Sequence, residues 1–62
     1  MNDRPYNFRI AVKYPNGKQG VETHVVVESN TDFGEAVAIG KVVRFYDGLL
    51  KDKAIKQYRI LE

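Results

Sequence analysis

Apolar and polar residues alternate strictly from Tyr6 to Tyr14. Alternation with a period of two, in aromatic and β-branched residues, is typical of a β-strand that is buried on one face. We therefore expect the first strand to turn its apolar residues inward and its polar residues toward solvent. The predicted inward set is Tyr6, Phe8, Ile10, Val12 and Tyr14, and the outward set is Asn7, Arg9, Ala11 and Lys13.

A turn at 15–17 (Pro-Asn-Gly) predicts a hairpin, with a second strand from Gly20 to Glu28. If Asn16 and Gly17 form a two-residue turn, Pro15 pairs with Lys18. This register sets the apolar residues of the two strands against each other, as Val12 with Val21, Ile10 with Thr23, Phe8 with Val25, and Tyr6 with Val27. A slip by one residue would mix the faces, whereas a four-residue loop would preserve them.

The residues at 29–32 (Ser-Asn-Thr-Asp) are all favourable at a helix N-cap, and Asp32 with Glu35 resembles a capping box. We expect a helix from Phe33 to Asp47, with Gly48 as its C-cap. Its apolar residues span an arc of about 180°, which is wider than the stripe that a small sheet needs to cover. The arc holds Ala36, Ala38, Ile39, Val42, Val43, Phe45 and Tyr46.

A third strand is predicted from Ala54 to Leu61, with Tyr58 and Ile60 inward and Ile55 and Leu61 outward. The order of elements predicts an α+β fold of ββαβ type, with one helix packed on one face of a three-stranded antiparallel-type sheet. Strand three can lie beside strand one through a right-handed crossover, which gives the order 2-1-3. We expect one domain over 1–62, with a flexible N-terminus at 1–5.

The chain has 62 residues, and a domain of this size buries only about 60% of the surface that its unfolded chain exposes. Disulfides, a metal or oligomerisation usually support such domains. The sequence contains no cysteine and a single histidine, His24, so we expect neither disulfides nor a metal site, and no cofactor. Oligomerisation is the support that remains.

No residue pattern indicates catalysis. The glycines around Lys18 precede a strand and not a helix, which argues against a phosphate-binding loop. His24 is expected on the outer face opposite Arg9, without a cleft around it. Neither a membrane span nor a signal peptide is recognisable, so we expect a soluble cytoplasmic protein that is not an enzyme.

Nucleic-acid binding is the alternative function. The formal net charge is only +2, but two groups of cations could contact phosphates. One group lies on the open sheet face and the other on the helix. We expect Glu22 and Glu28 to oppose the first group. The candidate contacts are Arg9, Lys13 and Arg59 on the sheet, and Lys41 and Arg44 on the helix.

Excess apolar surface favours a different function. Residues 25–27 are three consecutive valines in a strand expected at the sheet edge, where lysine or proline usually prevents pairing. Together with the wide helix stripe, this predicts a protein-interaction module that forms a homodimer or binds another protein. Small domains of this kind are often regulators, adaptors or inhibitors, and many are encoded by phages and mobile elements. The candidate interface is Val25, Val26, Val27, Val42, Phe45 and Leu49.

Overall fold

The computed structural model describes residues 2–61. The strands are β1 (Asp3–Lys13), β2 (Gln19–Ser29) and β3 (Gln57–Ile60), and the helix α1 (Asp32–Lys51) lies between β2 and β3 in the sequence. Both β2 and β3 pair antiparallel with β1, so the sheet has the order β2-β1-β3. The predicted ββαβ architecture and strand order are confirmed.

The turn between β1 and β2 contains three residues, and this odd number sets the register of the hairpin. Tyr14 N donates to Lys18 O at 2.8 Å, and Gly17 N donates to Tyr14 O at 2.9 Å. Gly17 has a φ of 88°, the left-handed conformation that completes three-residue hairpin turns. The predicted two-residue turn is wrong, because Tyr14 and not Pro15 pairs with Lys18.

The shift by one residue exchanges the two faces of β2. Tyr6 lies opposite Val26, Phe8 opposite His24, and Ile10 opposite Glu22. The predictions that Val21, Thr23, Val25 and Val27 face the core, and that His24 faces outward, are therefore wrong. The residues on the helix side of β2 are half-buried: Gly20, Glu22, His24, Val26 and Glu28. The residues on the open side are exposed: Gln19, Val21, Thr23, Val25 and Val27.

Helix α1 begins at Asp32, one residue before the predicted start. Its N-cap is Thr31, whose Oγ1 accepts a hydrogen bond from Gly34 N at 2.9 Å. Asp32 lies instead in the first turn with Glu35, where both carboxylates interact favourably with the positive end of the helix dipole.

The helix continues through Gly48 and ends at Lys51, one turn later than predicted. Its end is a Schellman motif, in which Lys53 N donates to Leu50 O at 3.0 Å and Ala54 N to Leu49 O at 2.9 Å. Lys53 adopts a φ of 61°, so a lysine occupies the left-handed position that glycine usually takes. Gly48 is therefore an interior residue of the helix.

Strand β3 is shorter than the predicted 54–61 and pairs only with the last four residues of β1. Tyr58 lies opposite Val12 and Ile60 opposite Ile10, which confirms that both face the helix. Ile55 was expected to face outward, but it precedes the strand and is buried in the core.

The core lies between α1 and the inner face of β1. On the helix, Ala38, Val42 and Tyr46 recur every four residues and so form one buried stripe. Within residues 2–61, the buried apolar residues are Tyr6, Phe8, Ile10, Val12, Ala38, Val42, Tyr46 and Ile55.

Strand β1 begins within the segment 1–5, for which flexibility was expected. Met1 lies outside the described residues, but Asp3, Arg4 and Pro5 belong to β1 and pair with the end of β2. Strand β3 does not reach this part of β1, so Pro5 sits at an edge where its missing N–H costs no hydrogen bond. Over residues 2–61, no helix is both long and apolar enough to cross a bilayer.

Candidate functional site

The outer edge of β2 presents unpaired backbone groups. In an antiparallel pair, alternate residues exchange hydrogen bonds with the partner strand, and those between them direct their N–H and C=O away from it. Because Tyr14 and Lys18 form a hydrogen-bonded pair, the odd-numbered residues of β2 point their backbone groups outward. Within residues 2–61 no strand pairs with this edge. The outward groups belong to Gln19, Val21, Thr23, Val25 and Val27, and to the N–H of Ser29, whose carbonyl oxygen already accepts hydrogen bonds from Tyr6 Oη and Thr31 N.

The carboxylates of Glu22 and Glu28, on the helix side of β2, are the one usual protection against strand pairing along this edge. Strand β2 contains no lysine and no proline, and its register with β1 runs without a bulge from Gln19 to Ser29. Val21, Val25 and Val27 on its open face are 52–59% exposed. An eleven-residue edge of this kind is an open template for another strand.

The structure separates the residues predicted as an interface. Val25 and Val27 lie together on the open face, whereas Val26 and Leu49 are half-buried and pack against the core. Val42 is completely buried, so its side chain is not accessible to a partner. Phe45 is 51% exposed on the helix side, where its ring lies 4.9 Å from that of His24.

Sequence reasoning missed Val21 and Thr23 as members of the open edge. It also missed a cluster of tyrosines around Glu22, whose carboxylate accepts hydrogen bonds from Tyr14 Oη at 2.5 Å and Tyr46 Oη at 3.0 Å. The length of the hairpin turn is the signal that identifies both the open-edge residues and the cluster around Glu22. A three-residue turn places Glu22 inward and Thr23 outward. His24 continues this cluster, with its ring 5.6 Å from that of Tyr46.

The environment of the tyrosines raises their pKa values. Burial, followed by the hydrogen bond to Glu22 and the charge of its carboxylate, raises the pKa of Tyr46 to about 12. The same carboxylate raises the pKa of Tyr14, mainly through its hydrogen bond. The pKa of Tyr58 is also raised, by desolvation and by a hydrogen bond to Asp47. The three hydroxyls therefore act as neutral donors to carboxylates, not as acids or nucleophiles.

The predicted cationic residues fall into two separate groups. Arg9, Lys13 and Arg59 lie on the open face of the sheet, since they alternate with the inward residues of β1 and β3. On the helix, Lys41 forms an ion pair with Glu28, and Arg44 is exposed. Because Glu22 and Glu28 lie on the helix side of β2, the expectation that they oppose the sheet cations is wrong.

A shallow depression of about 510 Å³ lies on the open face near the hairpin turn. Its floor is Ala11, the smallest side chain on this part of β1. The longer side chains around it belong to the neighbouring positions of the three strands: Lys13, Gln19, Val21, Gln57 and Arg59.

Over residues 2–61, no group of three histidine, cysteine or acidic side chains is placed to hold a metal ion. No family model matches the chain, and comparison with curated proteins and with solved structures finds no match. The open edge of β2, with the face beside it, is thus the candidate functional surface of the protein.

Proposed function

We propose that this protein is a small non-enzymatic interaction module that works as a homodimer, joined through the outer edge of β2. The observation that carries the proposal is the row of outward N–H and C=O groups on an eleven-residue edge strand, with which no other strand of residues 2–61 pairs. Pairing with another strand would satisfy these groups, as in other cases of strand addition.

A second copy of β2 is a suitable partner because the strand is complementary to itself. In the antiparallel register that pairs its full length, Gln19 lies opposite Ser29 of the second copy. Val21 then meets Val27, and Thr23 meets Val25. On the open face this builds a continuous row of β-branched cross-strand pairs, which stabilise sheets.

The acidic residues fit the same register. Glu22 would lie opposite Val26 of the second copy, and Glu28 opposite Gly20, so no carboxylate faces another across the seam. Phe45 lies on the helix side beside His24, and its side chain is half-exposed and so available to a second copy.

Thr23→Pro tests the proposal, because residue 23 directs its N–H to the outer edge and not to β1. Proline there removes an edge donor while keeping the hydrogen bonds between β1 and β2. Thr23→Ala is the matched control, since it shortens the same side chain and keeps the donor. Light scattering at micromolar concentration should give twice the monomer mass for the wild type and Thr23→Ala, and the monomer mass for Thr23→Pro.

A monomeric wild-type protein across the micromolar range would refute the homodimer. Equal dimerisation of the wild type and Thr23→Pro would show that the copies meet elsewhere, with the exposed side of α1 around Phe45 as the next candidate. Circular dichroism of each variant establishes that the comparison is made between folded proteins.

A further inference from the structure

We propose that the open face of the sheet around Ala11 binds the phosphate groups of a single-stranded nucleic acid. The proposal does not rest on self-association, because all the cations involved belong to one copy. It stands on the charges of this face, their spacing and the depression between them.

Among residues 2–61, the cations of the open face have no neighbouring acids on that face. Arg9 and Lys13 lie on β1, and Arg59 lies opposite Ala11 on β3. Over residues 2–61, the one ion pair joins Lys41 to Glu28 and involves none of these three side chains. Asp3 is the acid of β1 on this face, and it lies six residues from Arg9, or about 20 Å along the strand.

The spacing of the cations suits a chain of several phosphates better than one isolated phosphate group. Arg9 and Lys13 are four residues apart on β1, which separates their Cα atoms by about 13 Å. Arg59 lies beside the midpoint between them, because it pairs with Ala11. The three charges therefore follow the strand direction in a staggered line, along which a flexible polyanion can lie.

The depression gives such a strand a place to lie. The small side chain of Ala11 leaves space at the centre of the face. Gln19 and Gln57 lie on either side of Lys13 and provide amide donors and acceptors. Sheets that bind single strands usually stack bases on aromatic side chains, and on the three strands described here none of the open-face residues is aromatic. Binding should accordingly be electrostatic, with little preference for base sequence.

The salt dependence of binding tests this proposal directly. The probe is a fluorescein-labelled oligothymidylate of about 12 nucleotides, followed by fluorescence anisotropy. Three phosphate contacts on a single strand predict a slope of about −2 in log affinity against log salt. Affinity should therefore fall about 20-fold between about 50 mM and 200 mM salt.

Two double variants with the same loss of charge locate the site. Lys13→Gln with Arg59→Gln should weaken binding at low salt more than tenfold and reduce the slope to about −0.7, since one contact remains. Lys41→Gln with Arg44→Gln lowers the net charge equally on the helix and should leave both quantities near the wild-type values. All four side chains lie at the surface, and Arg59→Gln alone provides a milder test of the sheet site.

Three outcomes would overturn the proposal. Equal weakening by the two double variants would indicate attraction by net charge alone, and a larger effect of the helix variant would place the contacts on α1. Displacement of the oligonucleotide by thymidine monophosphate at the same nucleotide concentration would indicate a site for a single phosphate. Absence of binding by the wild type at low salt would exclude the ligand altogether.

Discussion

Glu22 shows how one residue can be accommodated against its usual preference. A carboxylate on the helix side of a small sheet loses hydration, and burial of a charge is unfavourable unless hydrogen bonds compensate it. Tyr14 and Tyr46 both donate to this carboxylate, and Glu22 remains only half-buried at the edge strand. Charge-assisted hydrogen bonds of this kind are stronger than neutral ones, so the pair of tyrosines makes the position tolerable.

The raised pKa of Tyr46 predicts a loss of stability at high pH. Its folded-state pKa of about 12 exceeds the ordinary tyrosine pKa of 10.0, so the folded protein holds this proton more tightly than the unfolded chain does. The associated stability is complete below about pH 10 and is lost as the pH rises toward 12. We expect the free energy of unfolding to fall by about 2 kcal/mol from this residue between about pH 9 and pH 11.5.

Tyr46→Phe isolates this contribution, because the two proteins differ only in this hydroxyl group. Urea denaturation should show that the variant loses about 2 kcal/mol less than the wild type over the same pH interval. At about pH 9 the variant should be less stable by about 1–3 kcal/mol, the cost of a hydrogen bond to a charged acceptor. If the free energy of unfolding fell equally with pH in both proteins, the raised pKa of Tyr46 would be contradicted.

At the scale of elements, β2 and α1 come into close contact at their junction, next to Gly34. A Cβ added at Gly34 would lie 2.0 Å from the carbonyl oxygen of Ser29. That oxygen already accepts hydrogen bonds from Tyr6 Oη at 2.7 Å and Thr31 N at 2.9 Å, so it cannot move away freely. A glycine at this position therefore allows the helix to begin directly against the end of the strand.

Gly34→Ala should destabilise the protein by about 1–3 kcal/mol or more, since the added methyl group forces the helix away from Ser29. Gly40→Ala is the control in the same helix, because nothing lies within 4 Å of a Cβ added there. That substitution should stabilise the protein by about 0.5–1 kcal/mol through the better helix propensity of alanine. Equal effects of the two substitutions in chemical denaturation would refute the close contact.

Patterns along the sequence predict the elements well, because each has a local physical cause. The alternation from Tyr6 to Tyr14 indicates a strand with one buried face, and the polar run that ends at Thr31 and Asp32 indicates a helix start. Tyr58 and Ile60 face the core as their spacing indicates. These signals depend only on nearby residues, which the sequence displays directly.

The faces of β2 could not be predicted in the same way. Residues 25–27 are all valine, so the strand offers apolar side chains to either face and its own pattern does not decide between them. The choice depends on the conformation of Gly17, which completes a three-residue turn, and on Tyr14 and Tyr46, which donate hydrogen bonds to Glu22. The edge site was partly predicted from the valines, whereas Val21 and Thr23 depend on this register.

The whole molecule is elongated for its length. Its radius of gyration is 12.7 Å and its extents are 44 × 19 × 12 Å, whereas a compact chain of this size has a radius of about 10.5 Å. The cause is the long hairpin, of which β3 covers only the part from Ile10 to Lys13. The remaining half has two strands with a helix on one face, and isolated two-stranded sheets are marginally stable.

This shape links the proposed dimer to stability. If the copies pair through β2, the two-stranded half of each hairpin becomes part of a wider sheet, and unfolding requires dissociation. The melting temperature should then depend on concentration, because mass action favours the associated folded state. From typical unfolding enthalpies for two chains of this length, a tenfold increase in concentration should raise Tm by about 5 °C.

Calorimetry or circular dichroism over a hundredfold range of concentration measures this effect. Thr23→Pro should melt at a lower temperature that does not change with concentration, whereas Thr23→Ala should keep the concentration dependence of the wild type. A concentration-independent Tm for the wild type would mean that one copy folds and melts alone. The uncovered half of the hairpin would then be stable through α1 and the Tyr6 contacts with Ser29 and Thr31, without a second copy.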